Sequence, residues 1–149
     1  RFAIYLPRVE PPELATDAAA GPIQRGRGER VLVVDDEEAL LAVTSEVLKH
    51  IGYEPVVCAD GAAALAAFEA APGRIDAVIA DEVMPGLTGT ELARALRRHR
   101  TEVPIVLVSG YSGPMLTERA LAAGITEVLK KPVQSRELAA ALARALGRG

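Results

Sequence analysis

A single cysteine, Cys58, stands in the whole chain, so no internal disulfide is available to it. No apolar run approaches the roughly 18 residues of a membrane span, and no signal-peptide pattern opens the sequence. Those absences predict a soluble, cytoplasmic chain without membrane contact. An excess of positive charge is missing too: 17 Lys and Arg against 20 Asp and Glu leave a formal charge of −3, which argues against nonspecific DNA binding. Arg94, Arg97, Arg98 and Arg100 do cluster, but they close a predicted helix, where cations complement the dipole and are expected to face water. There is no Gly-Lys-Ser/Thr loop, and Gly26-x-Gly28 precedes the first strand-like run instead of following it, the wrong order for a dinucleotide fingerprint. A nucleotide-binding enzyme is thereby disfavoured.

What is present is regular. With 50% hydrophobic residues in 149, the chain can hold one domain of about 120 residues with a real core. Short apolar runs rich in β-branched residues read as buried strands: Val31–Val34, Pro55–Cys58, Ile75–Ala80, Pro104–Val108 and Ile125–Leu129. Helical patterns lie between them. Leu40, Leu41, Val47, Leu48 and Ile51 recur near a 3.6-residue period and are closed by Gly52. Leu65 and Phe68 share one side of a second helix, and Thr88 and Glu91 have capping-box spacing at the start of a third. A fourth helix runs from about Pro114 to a Gly124 stop, and a fifth carries Leu138, Leu142 and Leu146 on one face.

Five strands alternating with five helices require right-handed crossovers and a mainly parallel α/β sheet covered on both faces. Spacing alone does not fix strand order. A flavodoxin-like (βα)5 doubly wound order, 2-1-3-4-5, would bring the ends of the first and third strands together at the switch point. Asp35, Asp36 and Asp81 sit at those ends, with Ser109 and Lys131 at the ends of the fourth and fifth runs.

Crowded carboxylates repel one another unless a cation neutralises them. Magnesium suits an oxygen-only site and keeps waters free for a phosphate oxygen; manganese fits the same ligands. Asp81 is the candidate in-line nucleophile, left reachable by the turn at Met84-Pro85-Gly86, while Asp35 and Asp36 are the candidate metal holders. Glu37 and Glu38 read as helix-start residues. Lys131 can pair with Asp81 at rest and with a phosphoryl group afterwards, and the Ser109 hydroxyl can donate to a phosphoryl oxygen beside Gly110. Glu82 reads as a solvated loop charge and Cys58 as a small core residue. His50 and His99 read as helix-end residues, neither in the context of a phosphoacceptor histidine. A phosphatase of the haloacid dehalogenase type would place Asp-x-Asp on its first strand, where this chain has adjacent aspartates.

Val31-Leu32-Val33-Val34-Asp35-Asp36-Glu37, Asp76–Asp81 with Met84-Pro85-Gly86, Val106–Gly110 and Leu129-Lys130-Lys131-Pro132 together resemble a receiver domain of two-component signalling, over residues 29–149. The resemblance implies phosphate transfer from a phosphohistidine-bearing kinase or phosphotransfer domain onto Asp81. It also implies magnesium on Asp35, Asp36, Asp81 and the backbone carbonyl of Val83, with Ser109 and Lys131 reading out the phosphoryl group. A weak homodimer is compatible with it. One departure stands out: receivers often carry a switch aromatic three positions before the lysine, and here that position is Val128, with Tyr111 a candidate substitute. The alternative is a receiver-shaped docking module that works without phosphorylation.

Residues 1–28 are different material: Phe2, Ile4 and Leu6 alternate like one strand, and Pro11, Pro12, an alanine run and Arg25-Gly26-Arg27-Gly28 read as a linker. Arg1–Pro7 resembles the last strand of a histidine kinase ATP-binding domain, which implies the tail of a hybrid sensor kinase. The chain itself lacks a kinase core. Since it stops soon after Leu146, output is expected to pass to another protein, to the parent kinase or to a phosphotransfer relay.

Overall fold

The computed structural model describes residues 26–70, 72–84, 86–99, 102–110 and 113–147. The expectations for residues 1–25, for Arg100 and for Tyr111 lie outside them. Five parallel strands form one sheet, β1 (Arg30–Val34), β2 (Glu54–Cys58), β3 (Ala77–Asp81), β4 (Ile105–Ser109) and β5 (Glu127–Lys130), in the order β2-β1-β3-β4-β5. Helices α1 (Glu38–His50), α2 (Gly61–Ala70), α3 (Gly89–His99), α4 (Pro114–Ala122) and α5 (Ser135–Ala145) alternate with them. This is the flavodoxin-like doubly wound architecture expected from the alternation.

Strand side chains alternate between faces, and two apolar clusters result. Leu32, Val34, Val78, Ala80, Ile105 and Leu107 pack with Phe68, Leu92, Leu96 and Leu116 from α2, α3 and α4. Val31, Val33, Ala77, Ile79, Val106 and Val108 pack with Leu41, Leu48, Leu138 and Leu142 from α1 and α5. Because both faces are covered, β1, β3 and β4 read as unbroken apolar runs. The two edges differ from the expectation of fully buried strands. β2 and β5 are only half-buried, with Val57 48% exposed on β2, since an edge strand lacks a neighbour on one side. Cys58, on the β2 edge, is likewise only partly buried against the first cluster.

The ends of β3 and β4 lie one residue further on than the apolar runs suggest, so Asp81 and Ser109 are their last residues. Lys131 is the first residue after β5. Helix boundaries follow local chemistry. Gly52 (φ +95°) and Gly124 (φ +81°) take the left-handed conformation just beyond α1 and α4. Thr88 and Glu91 exchange capping-box hydrogen bonds of 2.9 and 3.1 Å before α3, and Glu137 accepts from the Gln134 N–H at 3.2 Å before α5. Leu146 lies just past α5, partly buried on the face of Leu138 and Leu142.

One correction concerns the clustered arginines. Arg97 does not simply face water: its guanidinium donates to the carbonyls of Val103 and Gly124, clamping α3 to the approach to β4 and to the turn after α4. Burial lowers its pKa from the ordinary arginine value. Arg94 and Arg98 are exposed as expected. Ahead of β1, Gly26 N–H donates to Ile51 O at 2.7 Å and Gly28 N–H to Gly52 O at 2.8 Å. The approach is so close that a Cβ on Gly26 would stand 2.6 Å from the Tyr53 ring.

Candidate functional site

The switch-point crevice forms where β1 and β3 pair and their chain connections leave on opposite sides. Asp35 continues the alternation of Val31 and Val33, Asp81 that of Ala77 and Ile79, and Lys131 that of Leu129, all on the α1 and α5 side of the sheet. Oxygens of Asp35, Asp36 and Asp81 come within 4.8 Å of one another. Asp35 and Asp81 are buried and Asp36 is exposed. Lys131 Nζ stands 3.1 Å from Asp81 Oδ2 and 3.7 Å from Asp35 Oδ2.

Electrostatics follow from that crowding. Burial, first, and then the charges of Asp81 and Asp36 raise the Asp35 pKa, against the opposing hydrogen bond from Glu37 N–H and the charge of Lys131. That bond is 2.9 Å long and fixes Asp35 Oδ1 toward the start of α1. For Lys131, burial works to lower the pKa, but the hydrogen bond to Asp81 and the charges of Asp81, Asp35 and Glu37 outweigh it and hold the ammonium above the ordinary lysine range. Glu37 is the residue capping α1 and Glu38 lies in its first turn, as their position suggested.

Val83 N–H reaches back to Asp81 Oδ1 at 3.4 Å, so the loop folds over the carboxylate while the Val83 side chain is exposed. Ser109 is fully buried at the end of β4, and its carbonyl accepts from Lys131 N–H at 2.8 Å. It shares the alternation of Ile105 and Leu107, toward α3 and α4, so it approaches the crevice from the side opposite Lys131. A groove of about 490 Å³ between α1 and α5, lined by Leu40, Val43, Val47 and Leu138, opens onto Asp35, Asp81 and Lys131.

Glu82 corrects the expectation of a solvated charge. It is 3% exposed, its Oε1 accepts from Thr90 N–H at 2.9 Å and from Thr90 Oγ1 at 2.7 Å, and its Oε2 lies 3.3 Å from Arg119. The signal was strand alternation. Position 82 follows 78 and 80, whose side chains lie under α3 and α4, so a carboxylate there is carried inside while Asp81 points into the crevice.

The donor set fits a hard divalent cation: three carboxylates converge, no nitrogen or sulfur ligand stands among them, and the exposed Asp36 leaves an approach from solvent.

A fold and crevice of this kind define a phosphoacceptor module, and the comparisons agree. The chain belongs to the response regulator receiver domain family, whose model matches residues 31–143. It is 36% identical over 119 residues to the sensory transduction protein RegX3 of Mycobacterium tuberculosis, covering 80% of this chain and 51% of that protein. It is 30% identical over 146 residues to the sensor kinase CckA of Brucella abortus, covering 93% of this chain and 15% of that protein. The chain thus spans about half or less of these relatives. Among solved structures it resembles the receiver domain of sensor histidine kinase PA1611 from Pseudomonas aeruginosa, which holds a magnesium ion coordinated in its active site cleft. That likeness has a TM-score of 0.72 and 30% identity, over 80% of this chain and 98% of the other. Membership places the chain among the receiver domains of two-component signalling, whose general role is that of a phosphoacceptor. No helix among the described residues is long and apolar enough to cross a membrane.

Proposed function

We propose that the chain is a phosphorelay receiver in which Asp81 takes a phosphoryl group from a partner's phosphohistidine. The observation that carries this is the convergence of Asp35, Asp36 and Asp81 with Lys131 bonded to Asp81. An Asp81 oxygen forms a bond to phosphorus as the histidine N–P bond breaks; the imidazole leaves and takes a proton, and an acyl phosphate remains. Hydrolysis of that acyl phosphate returns the carboxylate and inorganic phosphate. Magnesium, or manganese, held by Asp35, Asp36, Asp81 and the Val83 carbonyl would offset the charge of the transferring group.

Lys131 keeps Asp81 oriented at rest and afterwards pairs with a phosphoryl oxygen. Ser109, approaching from the α4 side, donates its hydroxyl to another. The apolar groove between α1 and α5 leads to Asp81 and is the surface offered to the donor. The modified Asp81 then shifts the population of α4 and the β5–α5 face toward a state that binds the next partner.

Residues 1–28 are the tail of a preceding domain plus a linker, and residues 29–149 the receiver, in a hybrid sensor kinase of the cytoplasm. The support is the CckA match, which spans 93% of the chain and so runs ahead of β1.

The test is acetyl phosphate as donor, with and without magnesium, read by intact mass on wild type and Asp81→Asn. A metal-dependent gain of one phosphoryl group that vanishes in the variant is expected. A folded, magnesium-binding wild type that gains nothing would point instead to a docking module that works unphosphorylated.

A further inference from the structure

Glu82 is a buried carboxylate that the phosphoryl chemistry leaves unused, and its two oxygens are held by different parts of the molecule. Oε1 is tied to the start of α3 through both Thr90 donors. Oε2 pairs with Arg119 on α4 at 3.3 Å. The Glu82 N–H also donates to Val108 O at 2.9 Å, which fixes its backbone to the strand that ends in Ser109. α3 is anchored deeply: Leu92, Ala93 and Leu96 are fully buried, and a Cβ on Gly89 would lie 2.6 Å from the Asp81 carbonyl oxygen. α4 is held by Leu116 and Ala120, while its other large apolar residues, Met115 and Leu121, are 79% and 69% exposed. One carboxylate oxygen therefore belongs to a fixed frame and the other to a helix with a smaller buried face. Moving α4 away strips that second oxygen of this counter-charge while leaving it out of water, which is costly.

We propose that Glu82 is a positioning residue that couples α4 to the phosphoacceptor strand: the Glu82–Arg119 pair holds α4 in the arrangement of the unphosphorylated protein and yields when Asp81 is modified. The inference rests on the phosphoacceptor reading. It also supplies a link to α4 in a chain where Val128 occupies the position at which the resemblance leads one to expect an aromatic. Glu82 is adjacent to Asp81, and Ser109 lies on the same side of the sheet, so any pull on Ser109 is felt where the pair is made. Coupling is reciprocal. If modification of Asp81 weakens the pair, then weakening the pair must favour a phosphoryl mimic at Asp81.

The experiment uses the full chain with beryllofluoride and magnesium as the probe. Affinity for the probe and amide exchange of α4 without it are measured in wild type, Arg119→Ala, Arg119→Lys and Glu82→Gln. Arg119→Ala and Glu82→Gln are expected to bind beryllofluoride about three- to tenfold more tightly and to exchange faster in α4, with Arg119→Lys close to wild type. Faster exchange with affinity inside about twofold of wild type would mark a pair that merely braces the helix and would overturn the coupling. Unchanged exchange and affinity would overturn it as well. Should Glu82→Gln fail to fold, the two Arg119 variants decide. If wild type binds no beryllofluoride, the phosphoacceptor reading fails separately, and the Met115 methyl resonance then decides: displaced in Arg119→Ala, α4 is held by the pair; unmoved, it is not.

Discussion

Lys131 and Asp81, 50 residues apart in sequence, meet at 3.1 Å across the mouth of the crevice, and Lys131 lies on the same side as Asp35 at 3.7 Å. One ammonium thus answers two carboxylates that would otherwise face each other with little water between them.

Removing that ammonium leaves the acidic cluster unbalanced. Lys131→Ala is expected to lower the stability of the metal-free protein by about 1–2 kcal/mol, less than for a fully buried pair because the lysine keeps some contact with water. Urea unfolding with and without magnesium checks this, the added cation recovering much of the loss.

Asp35 gives a prediction of opposite sign. Its folded-state pKa is raised by burial and by the neighbouring carboxylates, so the native state holds its proton more tightly than the unfolded chain does. Stability therefore falls as pH rises from the unfolded value through the raised folded one, and at neutral pH the ionised group is a burden on the metal-free fold. Asp35→Asn should raise the melting temperature of the metal-free protein by roughly 3–5 °C, equivalent to about 1 kcal/mol. The same substitution should weaken magnesium binding by at least about tenfold. Wild-type magnesium affinity should fall on acidification at a higher pH than an ordinary aspartate would dictate, which calorimetric titration across pH can read.

Gly89→Ala tests the packing under Asp81. The added methyl would stand 2.6 Å from both the Asp81 carbonyl oxygen and Leu107 Cδ1, and backbone cannot give way as a flexible side chain can. A destabilisation of about 2 kcal/mol is expected, with slower phosphorylation by acetyl phosphate because the backbone of Asp81, the proposed nucleophile, is displaced.

Arg97→Ala removes the donors shared by the Val103 and Gly124 carbonyls. The expected cost is about 2–3 kcal/mol, read as a lower urea midpoint with an unchanged slope. Arg97→Lys should recover less than half, since an ammonium cannot reproduce the fork.

The sequence made the strands and the acidic cluster legible for a physical reason. Val31–Val34 and Ile105–Val108 are buried on both faces and must be apolar throughout, so the first polar residue marks the strand's end. That rule puts Asp35, Asp81 and Ser109 at strand ends, and the order β2-β1-β3-β4-β5 brings those ends together. It was silent on side. Asp81 and Glu82 look alike in sequence, and only the alternation continued past Ala80 separates a crevice carboxylate from one buried beneath α3 and α4. Arg97 was hidden for a related reason: its partners are backbone carbonyls, which leave no residue-type signature, and one of them is 27 positions away. The partial exposure of the edge strands β2 and β5 is not legible because β-branched composition reports the strand and not its rank in the sheet.

The seating of Gly26 and Gly28 against Ile51 and Gly52 has a mechanical consequence. Tension arriving along the preceding chain is borne first by these two peptide contacts at the turn between α1 and β2, at the end of the sheet remote from Asp81. A disturbance of the chain ahead of β1 therefore meets the fold at the end of the sheet opposite the one that gathers Asp35, Asp81 and Lys131.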